Sequence, residues 1–242
     1  MPIRVPDNLP ALRALHAESV DIIPQKYAVR QDIRPLRLLL LNLMPKKRDT
    51  EIQFARLFGN TPLQVEMILM TTASYTPQNT EPGYLRRFYR QLDDVRDDYF
   101  DALIITGAPI ETLPFEDVKY WAELTEIMEW SREHCFRRLG ICWGAQALLW
   151  HFHKVQKHEL KAKLFGIFEH HLIEVSGRLM HGFTDQFPMP ASRYTMNRSE
   201  DLMAAGLNVL AEGGECGAGM VRDPETGDLF VFNHLEYDAT TI

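Results

Sequence analysis

Cysteine is scarce in this chain: three residues in 242, at positions 135, 142 and 216. Three thiols make no disulfide framework, and no two are spaced as CxxC, which removes disulfide scaffolds and dithiol redox motifs. The thiols are therefore expected reduced, in a cytoplasmic setting. Positive charge is also short, with 26 Lys and Arg against 33 Asp and Glu and a net charge of −7. The footprint of a nucleic-acid or anionic-membrane partner is absent. Apolar runs such as Leu36–Leu41 are far too short to span a bilayer. The opening "MPIRVPDNLPALRALHAE" lacks the basic-then-apolar order of a signal peptide. GxGxxG and P-loop patterns are missing, which argues against a tightly held nucleotide cofactor. HExxH and Cys/His clusters at zinc spacing are missing too, so no metal is expected.

An apolar content of 45% with 24% charged residues fits a globular protein. A chain of 242 residues can bury one large core, or one core and a small appendage. Residues 1–35 are punctuated by proline, with one helix expected over Leu9–Ser19, and read as an N-terminal arm. Residues 36–242 read as one α/β domain. Leu36–Asn42 and Ala102–Thr106 are near-continuous apolar runs, as strands buried on both faces should be. Ile52, Phe54, Ala55 and Phe58 form a helical stripe that ends at Gly59. Val65–Leu69 alternates as a strand, Thr71–Pro82 is a loop, and a long helix is expected over Glu116–His134. Leu164–Val175, Val209–Ala211, Gly219–Arg222 and Leu229–Asn233 read as strands, with a turn at "PETG", 224–227. Strands alternating with helices predict a mostly parallel sheet flanked by helices, with sites at the carboxyl ends of its strands.

One cysteine stands at such an end. In "RRLGICWGAQALLW", an apolar strand closes on Ile141 and a helix opens after Cys142, with Gly140 and Gly144 at i−2 and i+2. That is the spacing of a nucleophile elbow, with sulfur in place of a hydroxyl. A corner this tight leaves room only for small flanking residues. The new helix presents free N–H groups that favour a thiolate and a developing oxyanion. A buried structural cysteine is the ordinary alternative; the paired glycines select the nucleophile.

A thiol nucleophile needs a base, and the base needs an orienting group. Of nine histidines, His234 directly follows the apolar strand "LFVFN", at the end where Cys142 should lie. Glu236 is at i+2 and would point the same way in extended backbone. "HFH" at 151 and 153 sits on a helix with its rings on different faces, so a metal pair is not expected there. "EHH" at 169–171 alternates on a strand and reads as partly core.

In order along the chain, "LNLMPKK", "TGAPIE", "GICWGAQA", "FEHH", "SRYT" and "HLEYD" resemble the homoserine O-acyltransferases of methionine biosynthesis, over essentially its whole length. The resemblance implies a class I glutamine amidotransferase-like (flavodoxin-like) fold and an acyl-enzyme formed on Cys142. It implies His234 as base, Glu236 as its orienting acid, and Lys46 or Lys47 of "MPKK" near the nucleophile. Lys163 and Ser192 correspond to acceptor-binding residues, with Arg193 adjacent. Acetyl-CoA and L-homoserine are then the small-molecule substrates, with no tightly bound cofactor, and a homodimer is compatible with this reading. In that family the position of Glu111 separates donors: a glycine accompanies succinyl-CoA and a glutamate acetyl-CoA. Homoserine O-acetyltransfer is therefore expected, with succinyl transfer as the alternative.

The chain departs from the family pattern at three places. Asn233 stands where glycine usually precedes the base, and "SRYTMN" lacks the acidic residue that usually follows "SRYT". Family members also continue beyond "EYDATT" into a tail whose arginine holds the acceptor; that tail is expected to be missing from this sequence. More distant alternatives are a glutamine amidotransferase-type thiol hydrolase, which lacks "MPKK" and "SRYT", and a binding module without catalysis, which would not need "GICWGA" and "HLE".

Overall fold

The structure is a computed structural model describing residues 3–18, 22–25, 34–75, 77, 79–173, 178–239 and 241. The chain divides into two compact units. The first comprises Met1–Ile104 and Ala122–Phe136, the second Ile105–Trp121 and Arg137–Ile242.

In the first unit the elements are β1 (Ile3–Val5), α1 (Ala11–Ala17), β2 (Ile22–Pro24), β3 (Leu36–Leu41), α2 (Lys47–Gly59), β4 (Val65–Met70), α3 (Pro82–Phe88), β5 (Tyr89–Arg90), α4 (Leu92–Val95), β6 (Phe100–Ile105) and α5 (Trp121–His134). The strands run in the order β2-β1-β4-β3-β6, with β5 paired to β4. The β1/β2, β1/β4, β3/β4 and β4/β5 pairs are parallel. Continuous apolar sequence is what a strand covered on both faces requires, and Leu39, Leu40, Leu41 and Leu103 are fully buried. α2 buries Phe54 and Ala55, and α5 buries Leu124, Ile127 and Met128 at helical spacing.

The segment read as an arm supplies β1 and β2 to this sheet, and it buries Leu9 and Leu15. The helix expected over Leu9–Ser19 forms as α1; Ser19 lies outside the described residues. The helix expected from Glu116 begins only at Trp121. Glu116 sits in a single 3-10 turn, Phe115–Asp117, after which Val118 turns extended at ψ 123. The apolar spacing of Val118 and Trp121 imitates a helical stripe across that break.

The second unit holds β7 (Cys135–Ile141), α6 (Trp143–Leu148), β8 (His158–Leu172), β9 (Gln186–Met196), α7 (Ser199–Ala204), β10 (Asn208–Gly213), β11 (Gly217–Arg222) and β12 (Leu229–Val231). α6 runs on through a π-helical turn, Leu149–His153. β7 and β12 are parallel; β12/β11, β11/β10, β10/β8 and β8/β9 are antiparallel. The strand expected over Leu164–Val175 is part of the longer β8, and Val175 lies outside the described residues. β9 was not anticipated, because Pro188 and Pro190 interrupt it. It ends the strand order, where one edge needs no ladder partner and proline is tolerated. The "PETG" turn forms: Asp223 accepts the Glu225 and Thr226 N–H groups through Oδ1, and Asp228 beyond it grips Arg138 through both carboxylate oxygens. These antiparallel hairpins extend an otherwise parallel α/β sheet.

Candidate active site

The corner between β7 and α6 is as tight as its glycines imply. Cys142 sits at φ 51, ψ −116, one of three non-glycine residues with positive φ among those described. Such backbone costs about 1–3 kcal/mol and persists only where its surroundings fix it. A Cβ at Gly140 would overlap Ala145, and one at Gly144 would overlap the Ile105 and Thr106 carbonyls. The Cys142 N–H donates to Val231 O at 2.7 Å, and its carbonyl accepts the Ala145 and Gln146 N–H groups. The corner is thereby stitched to β12 on one side and to the first helical turn on the other.

His234 follows β12 and is 3% exposed. Its Nδ1 lies 2.7 Å from Glu236 Oε1, and the ring is also hydrogen-bonded to the Cys142 side chain. Glu236 reaches it through a turn, with the Tyr237 N–H directed at His234 O, rather than along an extended strand. Burial works against a charged imidazole here. The negative charges of Cys142 and Glu236, with hydrogen bonds to both, outweigh it and hold the His234 pKa up to about 10. Above this pair stands Gly107 of "TGAPIE": a Cβ there would come within 3.3 Å of Cys142 Cβ and 3.6 Å of His234 Cε1. Glycine keeps that space open.

Tyr237, which the sequence did not single out, stacks on the imidazole with centroids 4.1 Å apart at 11°. Its hydroxyl is hydrogen-bonded to Ser192, and burial with the nearby Glu236 charge pushes its pKa up; Glu111 contributes in the same direction. Glu111 is half-buried, its Oε1 accepting the Tyr194 N–H at 3.3 Å. Lys157 anchors that loop by donating to the Glu111 and Leu113 carbonyls, its Nζ 4.2 Å from the Phe115 ring centroid. Ser192, Tyr237 and His234 thus form one neighbourhood with Cys142, and Glu111, held at the Tyr194 N–H, is near enough for its charge to act on Tyr237.

The other expected residues are placed differently. Lys163 is exposed on β8, over the Phe165 and Tyr194 rings. Arg193 is 2% exposed and binds backbone carbonyls. Lys46 and Lys47 belong to the first unit, where their surroundings differ sharply. Lys46 is exposed at the N-cap of α2, whereas Lys47 is buried, donating to Asn42 O with its Nζ 5.4 Å from the Tyr89 ring centroid. Burial lowers the Lys47 pKa to about 8, offset in part by Glu51. Glu51 in turn accepts the Tyr84 and Tyr89 hydroxyls. Among the described residues, no group of three or more His, Cys, Asp or Glu could hold a metal ion, and no helix is long and apolar enough to cross a membrane.

A cysteine on a strained strand-to-helix corner, beside a histidine held by a carboxylate, is an arrangement suited to thiol-nucleophile chemistry, and it stands on an α/β fold. That fold is class I glutamine amidotransferase-like. A glutamine amidotransferase from Thermotoga maritima matches with a TM-score of 0.55 at 12% identity, over 86% of this chain and 80% of that one. The glutaminase domain of Trypanosoma brucei CTPS matches with a TM-score of 0.54 at 12% identity, over 85% and 87%. Likeness at this level is of fold alone.

Sequence similarity narrows the class. The homoserine O-succinyltransferase family model matches residues 2–242. Proteins named homoserine O-acetyltransferase from Synechococcus elongatus, Novosphingobium aromaticivorans and Allorhizobium ampelinum are 51%, 49% and 47% identical over 100% of this chain. The chain spans 81%, 81% and 79% of their lengths. It belongs to the homoserine O-succinyltransferase family, a family of acyltransferases.

Proposed function

We propose that this chain is a homoserine O-acetyltransferase of methionine biosynthesis, moving the acetyl group of acetyl-CoA to L-homoserine through a thioester on Cys142. The observation that carries the mechanism is His234 held between Glu236 and Cys142. The Cys142 thiolate attacks the thioester carbonyl. The tetrahedral intermediate collapses by breaking the C–S bond to CoA, whose thiolate takes the proton from His234. In the second half, His234 removes the hydroxyl proton of homoserine as its oxygen attacks, and Cys142 leaves as thiolate. Both half-reactions use one base in alternate protonation states. Glu236 keeps the imidazole in the productive orientation, and the Trp143 N–H at the start of α6 is suited to the developing oxyanion. A thiol nucleophile fits a thioester donor because the exchange is nearly balanced and the acyl-enzyme stays activated. No resident cofactor is needed; CoA comes and goes as part of a substrate.

The family name and the relatives' names differ in the acyl group, and Glu111 favours acetyl. Its backbone loop is tied down by Lys157 and its carboxylate leans on Tyr194 N–H, on the side of Tyr237 and His234. A succinyl group would bring a second carboxylate close to it. At 4 Å and an effective dielectric of 20 that repulsion is about 4 kcal/mol, ample for selection after screening. The test is kcat/KM for acetyl-CoA and succinyl-CoA, with homoserine as acceptor and glutamine as control. The parent should favour acetyl-CoA, and Glu111→Gly should raise succinyl use relative to acetyl. Equal use of both donors by the parent would overturn the donor assignment and leave the cysteine mechanism standing.

A further inference from the structure

Arg193 neighbours Ser192 in sequence, and on a strand such neighbours leave on opposite faces. Ser192 is half-buried and meets Tyr237; Arg193 points into the core. Its Nη1 donates to Phe232 O at 2.9 Å and to Asn233 Oδ1 at 2.8 Å, and its Nη2 donates to Cys216 O. Its Nε is buried without a hydrogen-bond partner. None of the ion pairs among the described residues includes it, so the guanidinium is buried with no carboxylate beside it. An isolated buried cation is expensive to hold. Burial pulls its pKa down, and the opposing influence comes first from Cys142.

The bonds around it form a pattern. Val231 O accepts the Cys142 N–H, the Phe232 N–H donates to Gly219 O at 3.0 Å, and the His234 N–H donates to Pro190 O at 2.8 Å. Arg193 fills the remaining position by capping Phe232 O and the Asn233 side chain. Each residue from Val231 to His234 thus makes a hydrogen bond, three of the bonds coming from Pro190 and Arg193 of β9. Asn233, where the family resemblance has glycine, supplies one of the acceptors.

We propose that Arg193 is a positioning residue for the nucleophile–base pair: it pins the chain entering His234 by holding Phe232 O and the Asn233 side chain. This rests on Cys142 and His234 being nucleophile and base. It makes Arg193 a brace rather than a ligand for the acceptor.

The test uses the full chain carrying Arg193→Gln, which removes the charge, and Arg193→Lys, which keeps the charge but loses the planar fork. Iodoacetamide labelling of Cys142, read by peptide mass spectrometry across pH, needs no acceptor. Steady-state kcat and homoserine KM are measured in parallel. Arg193→Gln should slow the labelling of Cys142 and lower kcat by about tenfold or more, with homoserine KM within about threefold. Arg193→Lys, without the planar fork, should also lower kcat while homoserine KM stays within about threefold. A raised homoserine KM at unchanged kcat and unchanged labelling would make Arg193 an acceptor ligand and overturn the proposal. Should Arg193→Gln not fold, Arg193→Lys decides: unchanged kcat with unchanged labelling contradicts the proposal. Failure of the functional reading looks different, as absence of any acyl adduct on Cys142 in the parent.

Discussion

Two buried cysteine–histidine pairs sit in the same unit, and they are not equivalent. Cys142 is hydrogen-bonded to His234; Cys216 Sγ lies 3.1 Å from His170 Nε2. All four side chains are buried. The difference lies in what holds the far nitrogen of each ring. Glu236 holds Nδ1 of His234, whereas the Phe168 carbonyl holds Nδ1 of His170 at 2.8 Å. A carboxylate stabilises imidazolium; a backbone carbonyl in an apolar setting leaves burial in control. His234 accordingly rises to about 10, while burial lowers His170 and raises the Cys216 thiol. Both shifts favour the neutral thiol and the neutral imidazole, the state least suited to nucleophilic attack.

Backbone and space divide the pairs the same way. Cys142 carries a positive φ itself, whereas beside Cys216 that conformation falls on Gly217. The space around Cys216 and His170 is filled: a Cβ at Gly213 would strike Cys216 Sγ, and one at Gly219 would strike the His170 ring. Around Cys142, Gly107 leaves room. Proximity of a thiol and an imidazole is therefore not the device. Carboxylate, corner and open space together are.

The largest expected break in this comparison is His234→Asn, which removes proton transfer from both half-reactions and should lower kcat by about 10²–10⁴-fold. Near-normal turnover in that variant would require another base. Glu236→Gln should cost less activity, because it removes orientation and charge but no proton carrier, and it should pull the His234 pKa down toward that of His170. The charge also has a stability signature. His234 has a folded-state pKa near 10, above the unfolded value of about 6.5. Its contribution is fully present below pH 6.5 and is lost as pH rises toward 10. Denaturation midpoints of the parent should thus exceed those of Glu236→Gln by most at about pH 6, with the gap closing toward alkaline pH. A gap that widened with pH would contradict the ion pair. His170→Asn should have the smallest effect on turnover, within about threefold. Its loss should register as stability instead, about 1–3 kcal/mol for unsatisfied buried partners, measured by denaturant unfolding.

The elbow was legible because its pattern is local: Gly140, Cys142 and Gly144 lie within five residues, although only Gly140 clears its own corner, at Ala145, while Gly144 clears the Ile105 and Thr106 carbonyls. His234 was legible from its place after an apolar strand, and Glu236 from its spacing, although a turn rather than a strand brings it round. β9 was hidden by prolines that an edge strand accommodates. Tyr237, and the buried contacts of Arg193, were hidden for a different reason. Their partners, Phe232, Asn233 and Cys216 for one and His234 with Ser192 for the other, are assembled by antiparallel pairing that no local pattern announces. The motif "MPKK" left Lys46 and Lys47 open as alternatives; burial distinguishes them, and it moves the Lys47 pKa toward neutrality.

The claim that one cysteine of the two pairs is the nucleophile is tested most directly by incubating the full chain with acetyl-CoA and no homoserine, then locating the acetyl group by peptide mass spectrometry. The account predicts a single adduct, on Cys142, that persists in Cys216→Ala and Cys135→Ala, disappears in Cys142→Ala, and is discharged when homoserine is added. An adduct on Cys216, or one that survives loss of Cys142, would contradict it.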